Sequence, residues 1–238
     1  MTRGGWGGGS GWGGGGGERE EALAALLEGG SGGLRRVGGR CEGEGLRSGW
    51  GRVPLAGRLV ELSGSGASAV LTAACALVLE VQLAREPVAW VSAGEGVLYA
   101  PDLERAGVDL GALPLVRVEG LLAALRAGEQ LLRSGAFGLV VLDVGEVLSA
   151  RGLGEGLGGA RGGRLARLAQ QHGSTVLCVT RKARAEGSLG SLVSLRVEAR
   201  RERLSGGRFV CHVEALKDKR CGPGWRHEQV CCGPLGLR

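Results

Sequence analysis

Short apolar runs that alternate with helix-forming segments extend along the chain from residue 58 onward. Val88–Ala93 (VAWVSA) and Ser174–Thr180 (STVLCVT) are examples, and strands with so few polar residues are typically buried on both faces. Such strands separated by helices predict a mainly parallel sheet flanked by helices, so the predicted fold class is α/β. The other predicted strands are Arg58–Ser63, Leu113–Val118 and Phe137–Asp143, and the predicted helices are Ser68–Arg85, Asp102–Ala106, Leu121–Ser134 and Gly163–His172.

The pattern changes after Thr180, where apolar and polar residues begin to alternate. A period of two is typical of strands with one face in water, and a glycine-containing turn between two of them predicts an antiparallel hairpin. Arg196, Glu198, Arg200 and Glu202 are two residues apart and are therefore expected to share one face. An antiparallel C-terminal extension of the sheet follows, with strands at Ser191–Glu202, Arg208–Leu216 and Trp225–Cys232 and a turn at 205–207.

Glycine is unevenly distributed, because 21 of the 49 glycines fall in residues 1–51. A segment with so few apolar side chains cannot bury enough surface to offset the entropy lost on ordering. Residues 1–51 are therefore predicted to be largely disordered, with one short helix at Glu18–Glu28, where acidic residues precede leucines at helical spacing. Residues 52–238 are predicted to form the core domain.

No apolar run reaches the roughly 18 to 20 residues that cross a bilayer, and glycine replaces the apolar stretch of a signal peptide. A cytoplasmic protein without membrane contact is therefore expected, with its seven cysteines as reduced thiols. Some C-terminal residues have the types that bind zinc but lack the paired cysteine spacing, so no metal is expected. They are Cys221, His227 and Cys231, with Cys211 or Cys232 as a fourth ligand.

Positive charge is concentrated at the C-terminal end. The chain has a net charge of +6, and residues 181–238 carry 13 basic and 6 acidic side chains. A basic region attached to a near-neutral body favours a nucleic-acid partner, because phosphate contacts release counterions; an effect on solubility alone is the alternative. The predicted DNA-binding residues are Arg181, Lys182, Arg184, Arg200, Arg201, Arg203, Lys217, Lys219 and Arg220.

The segment after the strand Arg58–Ser63 occupies the place of the phosphate-binding sequence G-x-x-x-x-G-K-[ST] of P-loop ATPases. It reads GSGASAVL over residues 64–71, so Val70 and Leu71 replace the lysine and the hydroxyl residue. Charge neutralisation and Mg²⁺ binding both depend on those side chains, so no catalytic residue and no cofactor are expected, ATP included. Vestigial nucleotide contacts would be Gly64, Gly66, Ser68 and Asp143, and Glu95, a candidate water-activating carboxylate, is interpreted as a solvated loop residue.

From Arg58 to about Gly233 the chain resembles the ATPase core of the RecA recombinase family. The matching stretches are RLVELSG (58–64), AGVD (106–109), LLRSGAFGLVVLD (131–143), GSTVLCVTR (173–181) and SLVSLRVEARR (191–201). The resemblance implies the same order of elements: a phosphate-loop strand, a glutamate strand, an aspartate strand, DNA-loop regions and a closing antiparallel part. The segments at the places of the two DNA loops, residues 144–163 and Lys182–Gly190, are short.

A shortened RecA-like chain with a degenerate phosphate loop is similar to the ImuA group, the RecA-related accessory factors of bacterial mutasomes. RLVELSGSG, PVAWVS and LYAPDLERAGVDL fit that group. This resemblance implies a non-hydrolysing accessory role in SOS-induced, error-prone translesion DNA synthesis. The implied partners are DNA, an ImuB-like polymerase-family protein and an error-prone polymerase subunit, and filaments are not expected. Two other functions stay open: a weak ATPase or recombination mediator, and a SulA-like inhibitor of cell division.

Overall fold

Eight strands and five α-helices are present in the part of the chain that the structure, a computed structural model, describes: residues 49–66, 68–94, 98–145, 157–204 and 208–232. The predicted helix at Glu18–Glu28, nearly all of the predicted segment 1–51, and Glu95 lie outside these ranges. The strands are β1 (Leu59–Ser63), β2 (Val88–Ala93), β3 (Leu115–Val118), β4 (Leu139–Asp143), β5 (Thr175–Thr180), β6 (Leu195–Arg203), β7 (Arg208–Asp218) and β8 (Arg226–Cys232). The helices are α1 (Arg52–Leu55), α2 (Val70–Leu83), α3 (Ala100–Arg105), α4 (Gly120–Arg133) and α5 (Ala160–His172), with a 3-10 turn at Leu110–Ala112.

All eight strands form one sheet in the order β3-β2-β4-β5-β1-β6-β7-β8. The strands from β3 to β6 in this order pair in parallel, whereas β7 is antiparallel to both of its neighbours. The predicted α/β class, with a mainly parallel sheet flanked by helices and an antiparallel C-terminal extension, is confirmed. The two strands in the middle of this order are β5 and β1, and β1 lies between β5 and β6.

Two apolar layers hold helices against opposite faces of the sheet. Val60 and Leu62 of β1 point into a cluster that contains the inward side of α2, while Leu59 points into the cluster beneath α4 and α5. This alternation follows from the period of two along a strand. Because both layers are covered, all five residues of β1 are buried.

The longest described helices are short compared with the thickness of a membrane. The most apolar long helix, α2, has 14 residues, and at about 1.5 Å per residue it is shorter than the hydrocarbon core of a bilayer. Within the described ranges, no helix combines the length and apolar character needed to span a membrane.

One predicted strand begins later than its pattern indicated. Residues 191–194, predicted as the start of a strand, form a turn, and β6 begins at Leu195. The alternation is misleading here because Val193 is buried in the apolar cluster beneath α4 and α5 and does not pair with a neighbouring strand. The Ser194 N–H donates to the Leu59 carbonyl over 2.9 Å, so this turn still lies against the beginning of β1.

Candidate nucleic-acid interface

The loop between β1 and α2, at the position of a phosphate loop, packs tightly against β6. A Cβ atom added at Gly64 would lie 2.7 Å from the Ser68 Cβ and 2.9 Å from the Ala199 carbonyl oxygen. Gly64 is therefore required for this close approach. Gly66 has a φ of +61°, a left-handed conformation that favours glycine, and its added Cβ would meet no atom within 4 Å.

Backbone amides of this loop are already used within the protein. The Ser68 N–H donates to the Gly66 carbonyl over 2.9 Å, and the Ala69 N–H donates to the Ala199 carbonyl over 3.4 Å. Ser68 also forms an isolated antiparallel bridge with Arg200. A phosphate cradle needs amides that point at the ligand. Two of the amides that would serve here are instead directed at carbonyl groups.

Asp143, the fourth predicted nucleotide contact, ends β4 at the same edge of the sheet. It is half-buried and aligned with Ser92 of β2 and Val179 of β5. The structure thus places Gly64, Gly66, Ser68 and Asp143 at the carboxyl edge of the parallel strands, the region where ligands of open α/β sheets bind. All four residues therefore lie at one edge of the sheet, and the loop that carries three of them is in contact with β6.

A buried ionic cluster lies below this edge, centred on Glu61 of β1. The Lys182 Nζ lies 3.2 Å from the Glu61 Oε1, and the Arg196 Nε lies 3.6 Å from the same oxygen. The other oxygen, Oε2, accepts from the Leu189 N–H at 2.8 Å and from the Ser188 hydroxyl at 3.0 Å. From the described residues Oε1 accepts no well-aligned hydrogen bond, so its interaction with the two cations is chiefly electrostatic.

Lys182 was predicted to bind DNA, and the structure places it in this buried cluster. Only 4% of its side chain is exposed, and its ammonium group also donates to the Gly187 carbonyl. A lysine in this environment has its charge directed at Glu61 and has little contact with solvent. We therefore omit Lys182 from the proposed DNA contacts.

The same cluster fixes the segment between β5 and β6, which lies where the resemblance places the second DNA loop. Arg196 donates to the carbonyls of Ala183 and Glu186. Lys217 donates to the Gly190 carbonyl over 3.2 Å, and Lys219 donates to the Ser191 carbonyl over 2.5 Å. Side chains of β1, β6 and β7 therefore hold this segment in place.

One face of the β6–β7–β8 extension carries matched ion pairs; we call it the ion-paired face and define it by Glu198, Arg200, His212, Glu214 and Arg226. Here the predicted sharing of one face by the alternating charges of β6 is observed. Arg200 lies 2.8 Å from Glu198, and Arg226 lies 3.4 Å from Glu214. The arginines of this face therefore neutralise carboxylates of the same chain.

Arg184, another predicted DNA contact, joins the ion-paired face from the segment after β5. Its two terminal nitrogens donate to both oxygens of Glu214, over 2.8 and 2.9 Å. The hydrogen bond from Arg184 lowers the pKa of Glu214 to about 2, against an opposing effect of burial. In return, the hydrogen bond to Glu214 raises the pKa of Arg184. Such bidentate pairs are stronger than point contacts between single atoms.

His212 lies at the centre of the same face between two carboxylates. Its Nε2 is 3.1 Å from a Glu202 oxygen, and its Nδ1 is 3.1 Å from a Glu228 oxygen. A ring that carries protons on both nitrogens can donate to both partners. Every side chain that defines the ion-paired face therefore lies against an oppositely charged or hydrogen-bonding group of the chain.

The opposite face at the same end of the hairpin is different. We call it the arginine–aromatic face and define it by Arg201, Arg203 and Phe209. The Arg201 guanidinium lies over the Phe209 ring, 5.6 Å from its centroid, and Arg203 is opposite Phe209 in the β6–β7 register. Both arginines are exposed, and among the described residues neither has an acidic partner. Sequence reasoning selected the two arginines but missed Phe209.

The remaining predicted contacts do not all gather at this place. Arg181 is exposed just beyond β5, at the carboxyl edge. Lys217, Lys219 and Arg220 lie at the far end of the β6–β7 ladder, where Lys217 is opposite Arg196. Arg203 is seven positions after Arg196 along β6, a distance of about 23 Å. The predicted set is therefore divided between two ends of the extension.

A second buried ion pair lies at this far end of the β6–β7 ladder. Arg58 and Asp218 are 2.6 Å apart and almost fully buried, and the Trp225 indole N–H donates to the second Asp218 oxygen over 3.0 Å. Burial acts to raise the pKa of Asp218, but hydrogen bonds from Arg58, Trp225 and the Arg220 N–H hold it below its ordinary value. Burial and the nearby Lys219 lower the pKa of Lys217. This end of the ladder therefore carries exposed cations beside a buried ion pair that stabilises the fold.

The candidate zinc ligands lie on β7, on β8 and in the turn before β8. Among the described residues there is no group of three or more His, Cys, Asp or Glu side chains that could hold a metal ion. His227 and Cys231 share a face of β8. They are, however, four residues apart along the strand, or about 13 Å.

Comparison with protein-family models and with curated proteins finds no match to this chain.

Proposed function

We propose that this chain is a RecA-like accessory protein of SOS-induced, error-prone translesion DNA synthesis that binds DNA and polymerase partners without hydrolysing ATP. The observation that carries the proposal is the state of the loop between β1 and α2. It has the position of a phosphate loop, lacks the lysine and hydroxyl residue, and directs the amides of Ser68 and Ala69 at carbonyl groups. An ATPase core whose phosphate loop is occupied by contacts within the chain is suited to binding DNA and protein partners rather than to hydrolysing ATP.

The order of elements supports the RecA-like part of the proposal. A strand leading into the degenerate loop, β1, is followed by β2, by the aspartate-terminated β4 and by a closing antiparallel hairpin. This is the order that the resemblance implies. The anchored segment between β5 and β6 also supports a departure from recombinase behaviour, since a loop held by Glu61, Arg196 and Lys217 is poorly suited to reorganise around DNA.

In this proposal the exposed cations of the C-terminal extension bind DNA. Arg201 and Arg203 at one end, and Lys219 and Arg220 at the other, are exposed. Phosphate contacts of this kind are independent of base sequence and weaken with salt. We expect the polymerase partners to be an ImuB-like protein and an error-prone polymerase subunit.

The test is capture of the tagged full-length chain from its own cells before and after DNA damage, with nuclease treatment in a parallel sample. The proposal expects polymerase-family proteins to co-purify after damage and to stay bound in the nuclease-treated sample. Recovery of cell-division proteins instead would favour a SulA-like inhibitor. Recovery of recombinase filaments would favour a recombination mediator, and either result would overturn the proposal.

A further inference from the structure

The two faces of the β6–β7 hairpin end differ in how their charge is used, although both are rich in arginine. On the ion-paired face, Arg184, Arg200 and Arg226 each lie within 3.4 Å of a carboxylate oxygen of this chain. On the arginine–aromatic face, neighbouring positions of β7 and β8 are Phe209, Cys211, Gln229 and Cys231, none of them acidic. The positive charge available to a ligand is therefore on the arginine–aromatic face.

A second feature adds to the positive field beside this face. The α2 helix begins at Val70, next to β6, since the Ala69 N–H donates to the Ala199 carbonyl two residues before Arg201. The first turn of α2 carries no acidic residue that would neutralise the positive end of its dipole. Arg201 is about 7 Å from Ala199 along β6, so an anionic group bound at Arg201 lies near this helix end.

Phe209 gives the face a geometry suited to bases as well as phosphates. Its ring is half-buried against the apolar layer under α2, and the Arg201 guanidinium lies over the ring. The face thus combines an aromatic ring with an exposed guanidinium. Bases that are unpaired stack on aromatic rings and on arginine planes, whereas the bases of a duplex are already stacked on one another.

We infer that single-stranded nucleic acid binds the arginine–aromatic face, with phosphates at Arg201 and Arg203 and a base stacked on the Arg201 guanidinium supported by Phe209. This inference rests on the proposed DNA-binding function and names the strand type and the face. It also divides the predicted contacts, because Arg184 and Arg200 of the ion-paired face are assigned to structure rather than to DNA.

The experiment measures fluorescence anisotropy of labelled 20-nucleotide oligo-dT and of a 20-base-pair duplex with the full-length chain between 50 and 200 mM salt. We expect tighter binding to the single strand. Arg201→Gln with Arg203→Gln should weaken it at least tenfold and reduce the slope of log affinity against log salt by about 1.4, at roughly 0.7 for each lost phosphate contact. Phe209→Leu, which keeps an apolar side chain on the core, should weaken single-strand binding by about tenfold, as expected for one stacked base, and change duplex binding less.

Two further variants decide between the faces. Arg184→Gln with Arg200→Gln removes the same charge from the ion-paired face and should change affinity less than twofold. Arg105→Gln with Arg117→Gln, a pair of exposed arginines near the other edge of the sheet, is the matched control for net charge. Urea unfolding of each variant shows whether it is folded.

The outcomes separate the two proposals. If the unaltered chain binds neither probe, DNA binding itself is wrong and the proposed function fails with it. If the chain binds but the Arg184 and Arg200 variant loses affinity while the Arg201 and Arg203 variant does not, only the assignment of the face is overturned. Equal binding of strand and duplex with no effect of Phe209→Leu overturns the stacked base.

Discussion

The Glu61 carboxylate lies 3.2 Å from the Lys182 ammonium, and both side chains are almost entirely buried, at 0% and 4% exposure. Their contact joins the middle of β1 to the segment that follows β5. Removing one partner of a buried pair leaves a charge without compensation in a medium where it is poorly solvated. This pair therefore holds in place the segment that occupies the position of the second DNA loop.

Glu61→Gln is expected to lower the free energy of unfolding by about 3 kcal/mol or more, because Lys182 and Arg196 would then be buried beside a neutral amide. The double variant Glu61→Gln with Lys182→Met should lose less than the sum of the two single losses. Urea unfolding measures both. The control is Glu104→Gln, an exposed site where a change within about 0.5 kcal/mol is expected. A loss below about 1 kcal/mol for Glu61→Gln would contradict the buried-charge argument.

Gly64→Ala should destabilise the chain by about 1 to 3 kcal/mol, because its new Cβ would lie 2.7 Å from both the Ser68 Cβ and the Val70 Cγ2. Gly187→Ala is the matched control, since its Cβ would meet no atom within 4 Å and its φ is not left-handed. The midpoint of urea unfolding distinguishes them. Equal stability of the two variants would mean that the loop between β1 and α2 is not packed against β6.

The ion pair of Arg184 with Glu214 predicts a pH dependence of stability. The pKa of Glu214 in the folded chain is about 2, below its ordinary value of 4.5. A lowered pKa stabilises the folded state above the unfolded pKa, and this contribution is lost as the pH falls from about 4.5 through about 2. Arg184→Gln should therefore be less stable than the unaltered chain at pH 6, with a difference that shrinks by pH 2.5.

Nuclear magnetic resonance titration of Glu214 provides the direct measurement. In the Arg184→Gln variant its pKa should return toward 4.5. Arg126→Gln, an exposed arginine of α4, should leave it unchanged. A Glu214 pKa that stays near 2 without Arg184 would assign the shift to Arg226 instead.

The purified chain should show no ATP turnover above background, because Val70 and Leu71 stand where a lysine and a hydroxyl residue organise the γ-phosphate and Mg²⁺. Phosphate release with and without single-stranded DNA measures this. Asp143→Asn serves as the control, since activity that survives it comes from a contaminant. Turnover that Asp143→Asn abolishes would restore the weak-ATPase alternative.

Much of the sheet could be predicted because its strands are short apolar runs with clear ends. The limits of β2 match the prediction, since Pro87 precedes it and Gly94 follows it. The shared face of Arg200 and Glu198 also followed from spacing alone. These features depend only on residues close together in the chain.

The interactions of the candidate site could not be predicted in the same way, because its partners are distant in sequence. A glutamate in the middle of the apolar strand RLVELS is a visible anomaly at Glu61, but its partners Lys182 and Arg196 come from segments that only the strand order brings together. Likewise, charge counting selected Arg184 and Arg201 alike. Only the side-chain contacts of the folded chain show that Arg184 meets Glu214 and that Arg201 meets Phe209.

The position of β1 between β5 and β6 has a consequence for how the chain folds. Leu59 pairs with Val176, and Val60 pairs with Leu195, so the middle of the sheet is closed by segments synthesised more than 100 residues after β1. Contacts so distant in sequence slow folding, because a long loop must close before they form. During translation the apolar residues of β1 therefore lack their neighbouring strands until β5 and β6 have left the ribosome. Nascent chains stalled before Leu195 should accordingly be sensitive to protease and bind chaperones, and those stalled well beyond Asp218 should not.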